Sequence, residues 1–138
     1  MLETLKLLAV GVPVFILVDI VWIGMVANGF YKRELGSLAR TTADGNFDVR
    51  LWPAAILYTL VVIGLIVFVL PRVQQGSLWD AARYGALFGF IGYGVYDLTS
   101  YAVMNGFTLR MTIVDMIWGA CICALTAVSL QAARSWMG

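Results

Sequence analysis

Three carboxylates sit inside otherwise apolar sequence: Asp19 in LVDIVWIG, Asp97 in GVYDLTSY and Asp115 in IVDMIWG. A carboxylate at the centre of a bilayer costs at least roughly 2.5 to 3.5 kcal/mol, so each of these calls for a function or for a buried hydrogen bond that pins helices together. The chemistry open to them is narrow. Histidine is absent, which removes the commonest general base, the commonest transition-metal ligand and any Ser-His or Cys-His nucleophile pair. Cys121 and Cys123 form C-x-C, which is neither a redox C-x-x-C nor part of a four-ligand zinc set, and they read as core filler. No metal set and no cofactor motif is present, so proton or cation chemistry falls to Asp, Tyr and water.

Polar neighbours strengthen the candidate site. Tyr96, Thr99, Ser100 and Tyr101 surround Asp97, and Ser100 and Tyr101, at i+3 and i+4, share its helical face. Thr112 lies just before Asp115. The pattern V-D-x-x-W occurs twice, placing Trp22 one turn from Asp19 and Trp118 one turn from Asp115. An indole N–H donates to a carboxylate, so Asp19 with Trp22 and Asp115 with Trp118 are expected as local pairs; the plainer reading has Trp22 marking the membrane interface and Trp118 filling the core. The two copies fall on helices running in opposite directions, which fits an inverted relationship, although seven residues are too few to establish a repeat.

The elements that must position these groups follow from composition. Of 138 residues 62% are apolar and only 12% charged, with a mean hydropathy of +0.89, whereas soluble domains carry about 25% charged residues. The chain reads as an all-α, polytopic integral membrane protein, a single membrane domain over 1–138. A net charge of +1 without a basic tract gives no reason to expect nucleic acid. Four apolar segments, 5–26, 51–70, 82–104 and 111–132, are long enough for a hydrocarbon core of about 30 Å. Lys6 ahead of an apolar run resembles a secretory signal, but the run is too long and no small-x-small site follows, so it is expected to be a retained first span.

Pro13 should kink the first span unless the helix begins near it, and Pro71 closes the second. The third is glycine-rich, with Gly85-x-x-x-Gly89 suited to close helix packing, and is expected in the middle of the bundle. The polar connection 28–50 reads as a solvated loop in preference to a short interfacial helix with Phe30, Leu35 and Leu38 toward lipid, and Ala43-Asp44-Gly45-Asn46 reads as a turn. The remaining links are short, which predicts a four-transmembrane-helix antiparallel bundle with both termini on one side. Lys6, Arg72, Arg83 and Arg134 on that side balance Lys32, Arg33, Arg40, Arg50 and Arg110 on the other, so charge sets no orientation.

Laying the helices side by side at about 1.5 Å per residue puts Asp19, Asp97 and Asp115 at one depth, about 20 Å from the side holding the termini, with Tyr58 at nearly the same level. Each helix thus contributes one polar group to a single layer. Only Arg110, from the third link, is placed to reach Asp115. Three ionised carboxylates so arranged repel one another, so the layer calls for a bound proton or cation.

The segments DIVWIG at Asp19, FYKRELG at Phe30, WPAAILY at Trp52 and YDLTSYAVMNGFTLRMTIVDMIWG at Tyr96 resemble, in this order and over nearly the whole chain, the bacterial membrane family catalogued as domain of unknown function 2177. RTTADGNFDVR in the first connection departs from it as an insertion. The resemblance implies four spans and brings no substrate; with no organellar presequence in view, the bacterial inner membrane is the expected address. It directs attention to the residues in the matching motifs: Asp19, Trp22, Tyr58, Tyr96, Asp97, Thr99, Asp115 and Trp118 for binding, Pro53 beside them, and Tyr31, Arg33 and Glu34 at a pocket mouth about 8 to 10 Å deep on the side away from the termini.

The function expected from these readings is binding or transport of a cation, a proton or a small lipophilic ligand, more readily than catalysis. Two alternatives stand beside it. One is a lipid- or isoprenoid-modifying enzyme using Asp97 and Asp115 as acid and base with Tyr58 or Tyr96 as proton donors. The other is an accessory subunit, bound to a membrane protein partner or a second copy, whose acids only lock the bundle.

Overall fold

Five α-helices carry the chain in the computed structural model, which describes all 138 residues. Helix α1 (Leu2–Val21) runs through Pro13 and continues into a π turn, Trp22–Val26; the amphipathic α2 (Asn28–Leu35) follows. Helix α3 (Leu51–Gly64) continues through a second π turn, Leu65–Val69, and ends in a tight turn containing Pro71, as that proline requires. Helix α4 (Leu78–Val103) and helix α5 (Leu109–Met137) complete the chain. Each of these last two starts on a side-chain cap: Ser77 Oγ accepts from the Asp80 N–H and Thr108 Oγ1 from the Met111 N–H, both at 3.1 Å. Such caps satisfy donors that the first turn leaves unpaired.

Three helical stretches are long and apolar enough to cross a membrane: Leu2–Val26, Leu51–Arg72 and Leu109–Met137. Helix α4 has the length, at 26 residues, but is not among them. Its sequence carries Asp80, Arg83 and Asp97 among glycines and tyrosines, which keeps the span that the sequence predicts for 82–104 less apolar than the other three.

The closest pairing in the protein is between α4 and α5. At Gly85 an added Cβ would stand 2.7 Å from the Cys123 carbonyl oxygen, and at Gly89 2.0 Å from that of Gly119. The small-x-x-x-small face is therefore where two backbones meet. The glycine-rich helix is not central, however. Helix α5 contacts both α4 and α1, and α1 contacts α3, so α5 and α1 form the middle of the assembly. The glycines of α4 that meet a neighbour, Gly85, Gly89 and Gly94, all meet α5, while α5 has small or buried residues on two faces: Gly119 and Cys123 toward α4, and Leu130 toward Gly11 of α1. Around this seam Phe15, Val62, Leu65, Ile122 and Leu130 are fully buried. Cys123 belongs to that core, while Cys121 is exposed.

The connection 28–50 is not a simple solvated loop, because its first third is α2. Tyr31 of α2 buries with Ala27 against Phe107 and Met111, so tertiary packing decides the helix. Beyond it, Thr41 and Phe47 pair across a turn in which Gly45 takes φ 77°, and Arg40 and Asp48 close the turn with a 2.7 Å ion pair.

Candidate functional site

The three aspartates occupy different environments. Asp19 is buried and fully partnered: Tyr58 of α3 donates its hydroxyl to Oδ2 at 2.6 Å, and Trp118 of α5 donates its indole N–H to Oδ1 at 3.1 Å. One carboxylate thus ties three helices together. Asp115 receives one hydrogen bond, from the Tyr31 hydroxyl to Oδ1 at 2.5 Å. Asp97 is fully buried and neither of its oxygens has a hydrogen-bond partner. Its carboxyl lies close enough to Asp115 for the two charges to act on each other.

Neither expected local pair, Asp19 with Trp22 or Asp115 with Trp118, forms. Trp118 serves Asp19 and not its own Asp115, and Trp22 donates at 3.2 Å to the Tyr31 hydroxyl. The two indoles stack, 4.3 Å between centroids and 8° from parallel. Trp118 Nε1 thus crosses to α1, whereas Trp22 reaches α5 only through the Tyr31 hydroxyl of α2, which itself donates to Asp115. A tyrosine donates to each V-D-x-x-W aspartate, Tyr58 to Asp19 and Tyr31 to Asp115. Burial, then the charge of Asp115, holds the Tyr31 phenol well above the usual tyrosine range, so it stays protonated as the donor.

Other expectations for the site change. Tyr31 is no pocket mouth, since it is buried inside the network. Glu34 accepts from the Thr108 hydroxyl and pairs with Arg110 at 3.7 Å, so Arg110 reaches Glu34 and not Asp115. Glu34 is on the helix that also carries Tyr31. Arg33 is exposed. Thr99 and Tyr96 are exposed too, because they lie on flanks of α4 turned away from the buried face of Asp97 and Ser100; Tyr96 stands edge-to-face with Phe107 at 6.3 Å. Pro53 is half-buried in the first turn of α3.

Tyr93 is the residue that sequence reasoning passed over. Its ring lies on Gly119, where any Cβ would meet it at 2.3 Å. The signal was present, since Tyr93 precedes Asp97 by one turn and Gly119 follows Asp115 by one turn. No lysine or arginine pairs with any of the three acids; the protein's ion pairs are Arg40–Asp48, Arg83–Asp80, Arg110–Glu34 and Arg134–Glu3. No cluster of three or more Asp, Glu, Cys or His side chains is arranged to hold a metal.

Two of the protein's cavities bear on the location of the site. One, about 700 Å³, lies where the two ends of the chain approach, with Glu3, Lys6 and Arg134 on its wall, and contains none of the expected site residues. The other, about 520 Å³, runs between α3 and α4 and has Asp115, Tyr93 and Tyr96 on its wall.

A family model described as a predicted membrane protein, DUF2177, matches residues 4–131. No curated protein and no solved structure matches the chain.

Proposed function

Since the chain belongs to this family of predicted membrane proteins, we infer that it crosses a bacterial inner membrane with four antiparallel helices and binds a proton or a cation at Asp97 and Asp115. Helix α4 is the fourth span because it pairs along α5, and a helix of 26 residues is about 39 Å long. Exposed Trp79 and Trp136, on the side of the termini, and Trp52, on the other, supply the aromatic residues that favour the two interfaces. The ion pair between Glu3 and Arg134 fits both ends lying on one side.

One observation carries the functional reading: a fully buried Asp97 with two unpartnered oxygens, beside an Asp115 with one hydrogen bond. Buried polar groups in folded proteins are almost always satisfied, and an orphan of this kind asks for a partner supplied from outside. A locking residue looks like Asp19, which has both oxygens occupied. A proton shared by Asp97 and Asp115, or a cation between them, would complete the pair without any basic side chain. Such groups inside membranes mark ion or proton pathways.

Thermal stability in detergent tests this. Whatever binds the folded state stabilises it by mass action, so acidification or added cation will raise the melting temperature of the wild type. Asp97→Asn and Asp115→Asn will flatten that response, and Asp19→Asn will keep the response while lowering stability. Equal responses from all four proteins would refute binding at this pair.

A further inference from the structure

The cavity between α3 and α4 is a side opening of the protein, and its shape follows from the packing. Contact between α3 and α4 is concentrated at the end of α3, where Phe88 stands over Gly64 and the π turn Leu65–Val69 runs along α4. Toward the other end α3 leans on α1, held by Tyr58 on Asp19 and by Phe15 against the Tyr58 ring at 5.4 Å. The two outer helices therefore part, and a groove opens between Leu57 and Leu60, both exposed, and Gly92, at which an added Cβ would meet nothing within 4 Å. Its volume of about 520 Å³ is within the usual range for small-molecule sites, about 300 to 1,000 Å³.

The groove has a polarity gradient. Helices α3 and α5 descend from the side opposite the termini and α4 ascends toward it, so Leu57, Tyr96 and Asp115 lie at one level and Val61, Phe88 and Cys123 at a deeper one. From Phe88 to Tyr96 is about 12 Å along the helix axis. A carboxylate with no basic neighbour and Tyr96 stand at the shallow end, Tyr93 lies about one turn deeper, and hydrocarbon lines the deep end. A cationic amphiphile lying in the adjacent leaflet has this polarity: an ammonium head near the surface and an alkyl chain toward the midplane. Charge complementarity to Asp115 and cation–π contact with Tyr93 and Tyr96 suit the head, and the exposed leucines suit the chain.

We propose that the groove between α3 and α4 admits a single-chain alkylammonium from the bilayer, with its head at Asp115 and its chain along Leu57, Leu60 and Phe88. This rests on the proton- or cation-binding reading of Asp97 and Asp115, and names the ligand class that reaches the same site sideways.

The test uses the full chain in zwitterionic nanodiscs, with a spin-labelled alkyltrimethylammonium as probe and the same chain on an uncharged head as control. Wild type is expected to bind the ammonium probe at least about tenfold more tightly than the control. Gly92→Phe, which fills the groove, should weaken probe binding by about tenfold while leaving the melting temperature and its proton and cation response as in wild type. Leu60→Trp, on the opposite wall, repeats the test should the first variant fold poorly. Equal binding of charged and uncharged chains would mean an ordinary lipid occupies the groove, and binding unaffected by both fillings would mean the chain lies elsewhere. A dimer in the nanodisc that Gly92→Phe dissociates would make a second copy the occupant. Each of these three results overturns the proposal. Loss of the cation response in wild type with probe binding intact would instead overturn the functional reading alone.

Discussion

Gly89→Ala will cost the protein more stability than any other single methyl group added along α4, about 3 kcal/mol or more. Overpacking a core costs typically about 1 to 3 kcal/mol when side chains can shift aside. Here the obstacle is backbone: the new Cβ would stand 2.0 Å from the Gly119 carbonyl oxygen and 2.7 Å from the Cys123 Cβ, so α4 and α5 must separate. Separation strips packing from the protein's tightest helix pair and moves Asp97 away from Asp115. Gly92→Ala supplies the control on the same helix, because its Cβ would meet nothing within 4 Å, and alanine is favoured over glycine in helices by about 1 kcal/mol. Melting temperatures in one detergent should fall sharply for the first variant and hold or rise for the second. Equal effects would mean that the α4–α5 crossing does not lie at Gly89.

Replacing Asp19 and Asp97 by leucine should move stability in opposite directions. Asp19→Leu removes the acceptor of both the Tyr58 hydroxyl and the Trp118 indole, and a buried donor left unsatisfied costs about 1 to 3 kcal/mol, so the loss is about 2 to 6 kcal/mol for the two. Asp97→Leu removes a group that has no partner to lose. Exchanging a buried unpartnered charge for apolar volume relieves a desolvation penalty, and the variant should match or exceed wild-type stability while losing its response to protons and cations. A gain in stability joined to a loss of response is what separates a binding group from a lock. Chemical denaturation in mixed micelles reads the first quantity, and melting under varied cation the second. An Asp97→Leu protein destabilised as deeply as Asp19→Leu would show that Asp97 is a structural residue.

The sequence told of the acids but not of their division of labour. Apolar runs bounded by Pro71 and by short polar links marked the long helices, because chain length and hydrophobicity are local properties. The level of Asp19 with Tyr58 followed from helical rise alone, and the two are hydrogen-bonded. Partner choice was not local. Trp22 and Trp118 lie one turn from an aspartate each, yet their rings stack, and Trp118 serves Asp19 while Trp22 serves the Tyr31 hydroxyl. Tyr31 looked like part of a loop because α2 has little intrinsic reason to fold; it is held by burial against Phe107 and Met111, residues far away in the chain. Tyr96 and Thr99, one residue before Asp97 and two after it, point about 100° and 200° away from it around the helix, whereas Tyr93, one turn before it, shares its face. Glycine content pointed to close packing of α4 but could not say on how many sides, which is why α5 holds the central place instead.

Infrared difference spectroscopy of the carboxyl C=O band measures the state of the Asp97–Asp115 pair itself. Titrating wild-type protein with acid or cation in a lipid film should produce a carboxyl band change that Asp97→Asn abolishes and Asp19→Asn leaves intact. A spectrum that no proton or cation alters, or a band change that survives in Asp97→Asn, would contradict a binding site at this pair and leave the buried acids as fasteners of the helices.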